Sequence, residues 1–156
     1  MAGIILLAYP RAVWQVLKVG AGGFMTGLDM MADGTKVCRT DAYGAYVWNG
    51  SAWVQTLTSI SLPVADVDPD SASGANEIVI APSNTQILYM TWASRLYRSN
   101  NRGALWARTN FPVYDGNMAT DQGTKSFGPT IAVDPINSDI VYAGTPSVGL
   151  YVTTDG

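Results

Sequence analysis

The feature that most constrains this chain is an internal repeat of about fifty residues, because a unit recurring at that period folds by stacking on copies of itself. Three segments align: GLDMMADGTKVC (27–38), IVIAPSNTQILY (78–89) and IAVDPINSDIVY (131–142). Ile78 answers Ile131, Pro82 answers Pro135, Asn84 answers Asn137, Ile87 answers Ile140 and Tyr89 answers Tyr142, with Gly27 set against Ile78. The register continues, since Leu96-Tyr97 is matched by Leu150-Tyr151 and Ala45-Tyr46 stands in the corresponding place. Within each unit the pattern is one of short strands and tight turns. The second repeat reads as strands at 78–80, 87–90, 96–98 and 105–108, and the first as strands at 28–31, 36–40, 45–48 and 52–57. Four short strands per repeat is the sequence form of a propeller blade. The expected fold is all-β, a partial β-propeller of about three four-stranded blades at approximately 12–57, 76–110 and 129–156, the last incomplete. A β-sandwich also suits short strands, but it does not require a fixed period.

Composition narrows the chemistry. The 156 residues are 47% hydrophobic and 13% charged, with a net charge of −3, no His and one Cys, Cys38. A Ser-His-Asp triad, a His-ligated zinc and an internal disulfide are therefore excluded, and reaction chemistry falls to carboxylates, hydroxyls, aromatics and amides. No cofactor or metal is called for. An acidic chain without a basic cluster has no electrostatic reason to bind a phosphate backbone, so nucleic acid is not an expected partner. The apolar opening, residues 4–8, is too short to span a bilayer and lacks the preceding basic residues of a secretory leader, so it reads as a strand and no membrane partner is expected. The pattern stops at Thr153-Thr154-Asp155-Gly156, in mid-repeat, which leads us to expect a piece of a longer propeller.

Three sets of residues carry candidate function. Ser99-Asn100-Asn101-Arg102-Gly103-Ala104-Leu105-Trp106 resembles the Asp-box of sialidase-like (BNR) repeats, Ser-Xaa-Asp-Xaa-Gly-Xaa-Xaa-Trp, and 153–156 resembles the start of another. Such a box is a turn device: a short acceptor bonds backbone N–H groups, Gly takes the unusual dihedral and Trp packs between sheets. Asp66, Asp68, Asp70 and Glu77 fall at the spacing of a calcium loop. Pro69 inside it, Ser71 at the turn position and strand-like flanks instead make it a solvated acidic connector.

The third set is Gly22-Gly23-Phe24-Met25-Thr26-Gly27, followed by Arg39-Thr40-Asp41-Ala42-Tyr43-Gly44-Ala45-Tyr46-Val47-Trp48. It is similar to the opening of the xyloglucanases of glycoside hydrolase family 74, which carry a Gly-rich start, then Arg-Thr-Asp-Xaa-Gly-Gly-Xaa-Tyr-Xaa-Trp, then Asp-box blades. The resemblance implies two facing propellers, a polysaccharide substrate, secretion, and Asp41 as the base that activates water in an inverting hydrolysis. It departs at Tyr43, where the family has Gly, and at 125–130, where xyloglucanases carry basic and acidic residues. Substrate identity is therefore not carried over.

Blade geometry also puts Asp41 on the turn between strands two and three, on the face where propellers commonly bind ligands. Capping that turn beside Gly44 is the competing role. Hydrolysis with inversion needs a second carboxylate roughly 6.5–9.5 Å away. The resemblance places it in the second propeller, so this segment alone is expected to be inactive; Asp115 and Asp121 are the local acids on the same face. Tyr43, Trp92, Tyr114 and Phe127 are the candidate sugar-stacking rings, each with packing between blades as its alternative. Of these, Trp92 is expected to match Asp41 in position. The other reading of the whole is a non-enzymatic propeller that binds a glycan or a protein.

Overall fold

A computed structural model describes residues 12–16, 19, 24–42, 44–67, 74–112, 129–145 and 149–156. The strands are β1 (Met25–Met30), β2 (Lys36–Thr40), β3 (Ala45–Trp48) and β4 (Trp53–Gln55), then β5 (Glu77–Ile80), β6 (Leu88–Trp92), β7 (Arg95–Ser99) and β8 (Ala107–Arg108), then β9 (Ile131–Val133), β10 (Val141–Thr145) and β11 (Gly149–Thr153). They form three antiparallel meanders, β1-β2-β3-β4, β5-β6-β7-β8 and β9-β10-β11. Three separate sheets in chain order are blades of a partial β-propeller; a sandwich would have paired strands into two sheets. One 3-10 turn, Val64–Asp66, lies on the way from the first blade to the second. The expected strand at 4–8 lies outside the described residues.

The blades are held by two apolar layers. Val37, Ala45 and Val47 of the first blade cluster with Ile78, Ile80, Leu88, Met90 and Tyr97 of the second. Tyr89 and Leu96, from the other face of the second blade, cluster with Ile131, Val141 and Ala143 of the third. All five residues of β6 are buried, because successive side chains alternate between two occupied faces. Polar bonds tie the same seams: Ile80 N–H donates to Asp29 Oδ2 at 2.9 Å, the Tyr89 hydroxyl donates to Ser138 O at 2.8 Å, and Arg98 pairs with Asp139 at 2.6 Å.

These faces correct the repeat register by one residue in β2. Val37, which looks toward the second blade, is the structural counterpart of Tyr89, which looks toward the third; the sequence alignment had set Cys38 there. The cause is unequal turns. Trp92 pairs with Arg95 across a two-residue turn, Ala93 and Ser94, both with positive φ, as short hairpins require. In the first blade Arg39 pairs with Ala45 and the connection is longer. Asp41 therefore lies within a turn, whereas Trp92 is the last residue of a strand.

Candidate functional site

The turn joining β2 to β3 is closed by Thr40 N–H donating to Gly44 O at 3.1 Å, with Gly44 at φ 112°. Asp41 sits half-buried on it, clamped from both sides. Its N–H donates to Phe24 O at 2.9 Å, and Phe24 N–H donates back to Asp41 Oδ1 at 2.6 Å. Its carbonyl accepts from Gly74 N–H at 3.1 Å, and a Cβ on Gly74 would lie 1.8 Å from Thr40 O, so the backbones touch there. The carboxylate is thus fixed where the chain leads into β1 and close to where it leads into β5. A hydrogen bond to one carboxylate oxygen sets the plane in which the other can accept a proton.

Behind this turn lies a buried ion pair that sequence reasoning missed. Arg39 Nε stands 3.3 Å from Glu77 Oε1, with both side chains under a tenth exposed. Ile78 N–H donates to Glu77 Oε1 at 3.2 Å and Thr130 N–H to Oε2 at 3.3 Å, so one carboxylate joins all three blades. Burial pushes the Glu77 carboxyl above the ordinary range, and the neighbouring Arg39 guanidinium only partly offsets it. Gly27 makes room for the arginine, since a Cβ there would meet Arg39 Nε at 2.4 Å. The only signal in the sequence was an isolated Arg and an isolated Glu in otherwise apolar strands.

Asp66 is also corrected. It is buried, and its carboxylate is held by Arg108, whose Nε donates at 3.1 Å, with Arg95 Nε at 3.9 Å, so it is not a solvated connector residue. With Asp66 and Glu77 each paired to arginine, neither is offered to a cation. Among the described residues no group of three or more side chains could hold a metal. Asp68, Asp70, Asp115 and Asp121 lie outside the described residues.

Of the expected sugar-stacking rings, Tyr43, Tyr114 and Phe127 lie outside the described residues. Trp92 is 4% exposed, in the apolar layer between the first two blades, with its ring 6.3 Å from that of Tyr97. A ring so enclosed offers no face to a sugar, which overturns the expectation for Trp92. The turn from β7 to β8, expected to be an Asp-box, lies in the second blade, at the end opposite to its β6–β7 turn. Gly103 N–H donates to Ser99 Oγ at 2.8 Å, Leu105 N–H donates to Asn101 Oδ1 at 2.9 Å, Gly103 takes φ 79°, and Trp106 Nε1 donates to Thr56 O at 2.9 Å. Asn101 thus does the work of the motif's Asp. Thr153 Oγ1 donates to Asp155 Oδ1 at 2.6 Å in the third blade.

The other described carboxylates are engaged structurally. Asp29 accepts from Ile80 N–H, Asp139 pairs with Arg98, and Asp134 accepts from Ile136 N–H at 2.8 Å and Asn137 N–H at 2.9 Å. Hydrogen bonds from Thr85 and Thr35, with Arg102 beside them, hold the Asp33 carboxyl below its ordinary value. No helix among the described residues is long and apolar enough to cross a membrane.

No protein-family model matches the chain. Among curated proteins it is 31% identical to a xyloglucanase of Hypocrea jecorina, over 99% of this chain and 19% of that protein. It is 28% identical to the xyloglucanase Xgh74A of Acetivibrio thermocellus, over 90% of this chain and 18% of that protein. The chain spans about a fifth of the length of these relatives. Among solved structures, the GH74 xyloglucanase from Xanthomonas campestris matches with a TM-score of 0.70 at 25% identity, over 92% of this chain and 21% of that one. The GH74 enzyme of Niastella koreensis matches with a TM-score of 0.67 at 25% identity, over 90% of this chain and 21% of that one. In sequence and in fold the chain resembles the N-terminal propeller region of the family 74 xyloglucanases.

Proposed function

We propose that this propeller segment contributes half of the catalytic site of a glycoside hydrolase that cleaves a β-glucan or xyloglucan-like polysaccharide with inversion, and that Asp41 is its base. The observation that carries the proposal is the likeness to a xyloglucanase along 99% of the chain; Asp41 lies in this chain's Arg-Thr-Asp stretch, which resembles the family's. Its position supports the role: Asp41 lies on a rigid turn, with one oxygen fixed by a backbone N–H. The resemblance to the family 74 xyloglucanases implies that the acid that protonates the leaving oxygen comes from a second propeller. The segment by itself does not hydrolyse. A polymer of this size does not pass through a membrane, so the protein meets it outside the cell. Tyr43, Tyr114 and Phe127 are the proposed sugar-stacking rings from the sequence.

The test is hydrolysis of xyloglucan and of unbranched β-glucan by the protein that carries this segment, with and without Asp41→Asn. We expect the variant to fold and to lose at least about a thousandfold in kcat, as removal of an essential base does. Unchanged turnover would remove Asp41 from the mechanism. The commitment of the described carboxylates also favours a second reading, a propeller that binds a glycan or a protein without cleaving it. Saccharide binding without hydrolysis by the unaltered protein would select that reading.

A further inference from the structure

Besides the rings read in the sequence, the geometry points to a further aromatic platform beside Asp41, Phe24. Asp41 and Phe24 are joined by two reciprocal hydrogen bonds, at 2.9 and 2.6 Å, so the position of one residue's main chain fixes the other's. Phe24 immediately precedes β1, at the end of the sheet where Met25 pairs with Thr40, so it borders the Asp41 turn. Phe24 is 71% exposed, whereas Trp92 at the end of β6 is buried and Phe111 packs edge-on against Tyr151 at 5.1 Å. What distinguishes Phe24 from the other exposed apolar side chains is its place, since its main chain is bonded directly to the Asp41 turn. A pyranose is a suitable cover: its axial C–H groups form an apolar face that lies on a ring, while its equatorial hydroxyls stay free for polar neighbours.

We infer that Phe24 is the stacking platform for the sugar unit adjacent to Asp41, the ring setting the height of the sugar and the carboxylate meeting its edge. This rests on the reading of Asp41 as the base in a polysaccharide site. The coupling through main-chain bonds gives the pair a specific property. The side chain of Phe24 can be changed without breaking either bond, because both use its backbone N–H and C=O. Removing the ring therefore strips the platform and leaves Asp41 in place.

The experiment titrates a cello-oligosaccharide and a xyloglucan oligosaccharide into the unaltered protein, Phe24→Ala, Phe24→Tyr and Asp41→Asn, reading binding by calorimetry and by chemical-shift changes, with hydrolysis assayed separately. We expect Phe24→Ala to weaken binding about tenfold, roughly 1.4 kcal/mol, with its thermal melt retained. Phe24→Tyr should restore binding to within about twofold, since the ring is kept. Binding by Phe24→Ala equal to that of the unaltered protein, or no saccharide binding by the unaltered protein, overturns the inference. If Asp41→Asn still hydrolyses while Phe24→Ala loses affinity, the platform stands and the assignment of the base falls. If Asp41→Asn is inactive while Phe24→Ala binds normally, the base stands and the platform falls.

Discussion

At the scale of single residues, Glu77 is a carboxyl whose protonation is tied to the fold. Burial raises its pKa above the ordinary carboxyl value, with Arg39 opposing. A carboxyl whose folded pKa lies above its unfolded one binds protons more tightly when folded, so its contribution to stability is fully present below the unfolded value. That contribution is lost as pH rises through the folded value. Glu77→Gln cannot titrate. Below the unfolded carboxyl value Glu77 is itself neutral in the parent, so parent and variant should melt close together there. As pH rises towards about 7 only the parent takes on the cost of ionising a buried carboxyl, so the variant should gain on the parent, following the linkage of protonation to stability. Thermal melts at stepped pH give the two curves, and a deficit that grows with pH would show that the ion pair, not the desolvation of Glu77, dominates.

At the scale of elements, the Asp-box turn between β7 and β8 shows how one hydroxyl and one amide organise a hairpin. Ser99 is wholly buried, and its Oγ accepts from the N–H groups of Gly103 at 2.8 Å and Asn101 at 3.3 Å. Ser99→Ala leaves a buried N–H unpaired and should cost about 1–3 kcal/mol, read from urea midpoints. Asn101→Asp keeps the acceptor for Leu105 N–H and should lie within about 0.5 kcal/mol of the parent. A loss in Asn101→Asp as large as in Ser99→Ala would mean that the amide nitrogen, not the oxygen, holds the turn. This turn was legible in the sequence because the bonds of Ser99 and Asn101 that shape it run between residues two to four apart, while Trp106 adds a long-range bond to Thr56. The same is true of the strands, whose short β-rich runs fixed their existence while their ends moved by a few residues. The Arg39–Glu77 and Arg108–Asp66 pairs were not legible, since each joins residues about forty apart whose meeting depends on how blades stack. The fate of Trp92 was missed for a related reason. A one-residue difference in turn length moves a residue from a turn into a strand, and in a middle blade both faces of a strand are covered.

At the scale of the whole molecule, the outer faces of the first and third blades have no described neighbouring blade, and that of the third is the more apolar across paired strands. On the second blade, Tyr89 and Leu96 are buried by the third. On the third blade the corresponding residues, Tyr142 and Leu150, are 42% and 72% exposed, and Val152, which pairs directly with Tyr142, is 58% exposed. Lying on one face of two paired strands, they form an apolar patch of the kind that a further blade covers within the chain, bounded by the free edge of β11. The 156-residue chain prepared by itself is therefore expected to self-associate, because each copy presents to another what each blade presents to the next. Light scattering coupled to size exclusion should give a mass above the 16.6 kDa of one chain, rising with concentration. The double variant Leu150→Lys/Val152→Lys places two charges on the patch, and burying them against a second copy costs more than the apolar contact returns. It should elute as a monomer with its melting temperature within a few degrees of the parent, since both side chains already face water. A parent chain that is monomeric at all concentrations would show that the patch is covered within the molecule. A double variant that associates as the parent does would move the contact to the strand edge, where backbone groups, not side chains, make the bonds.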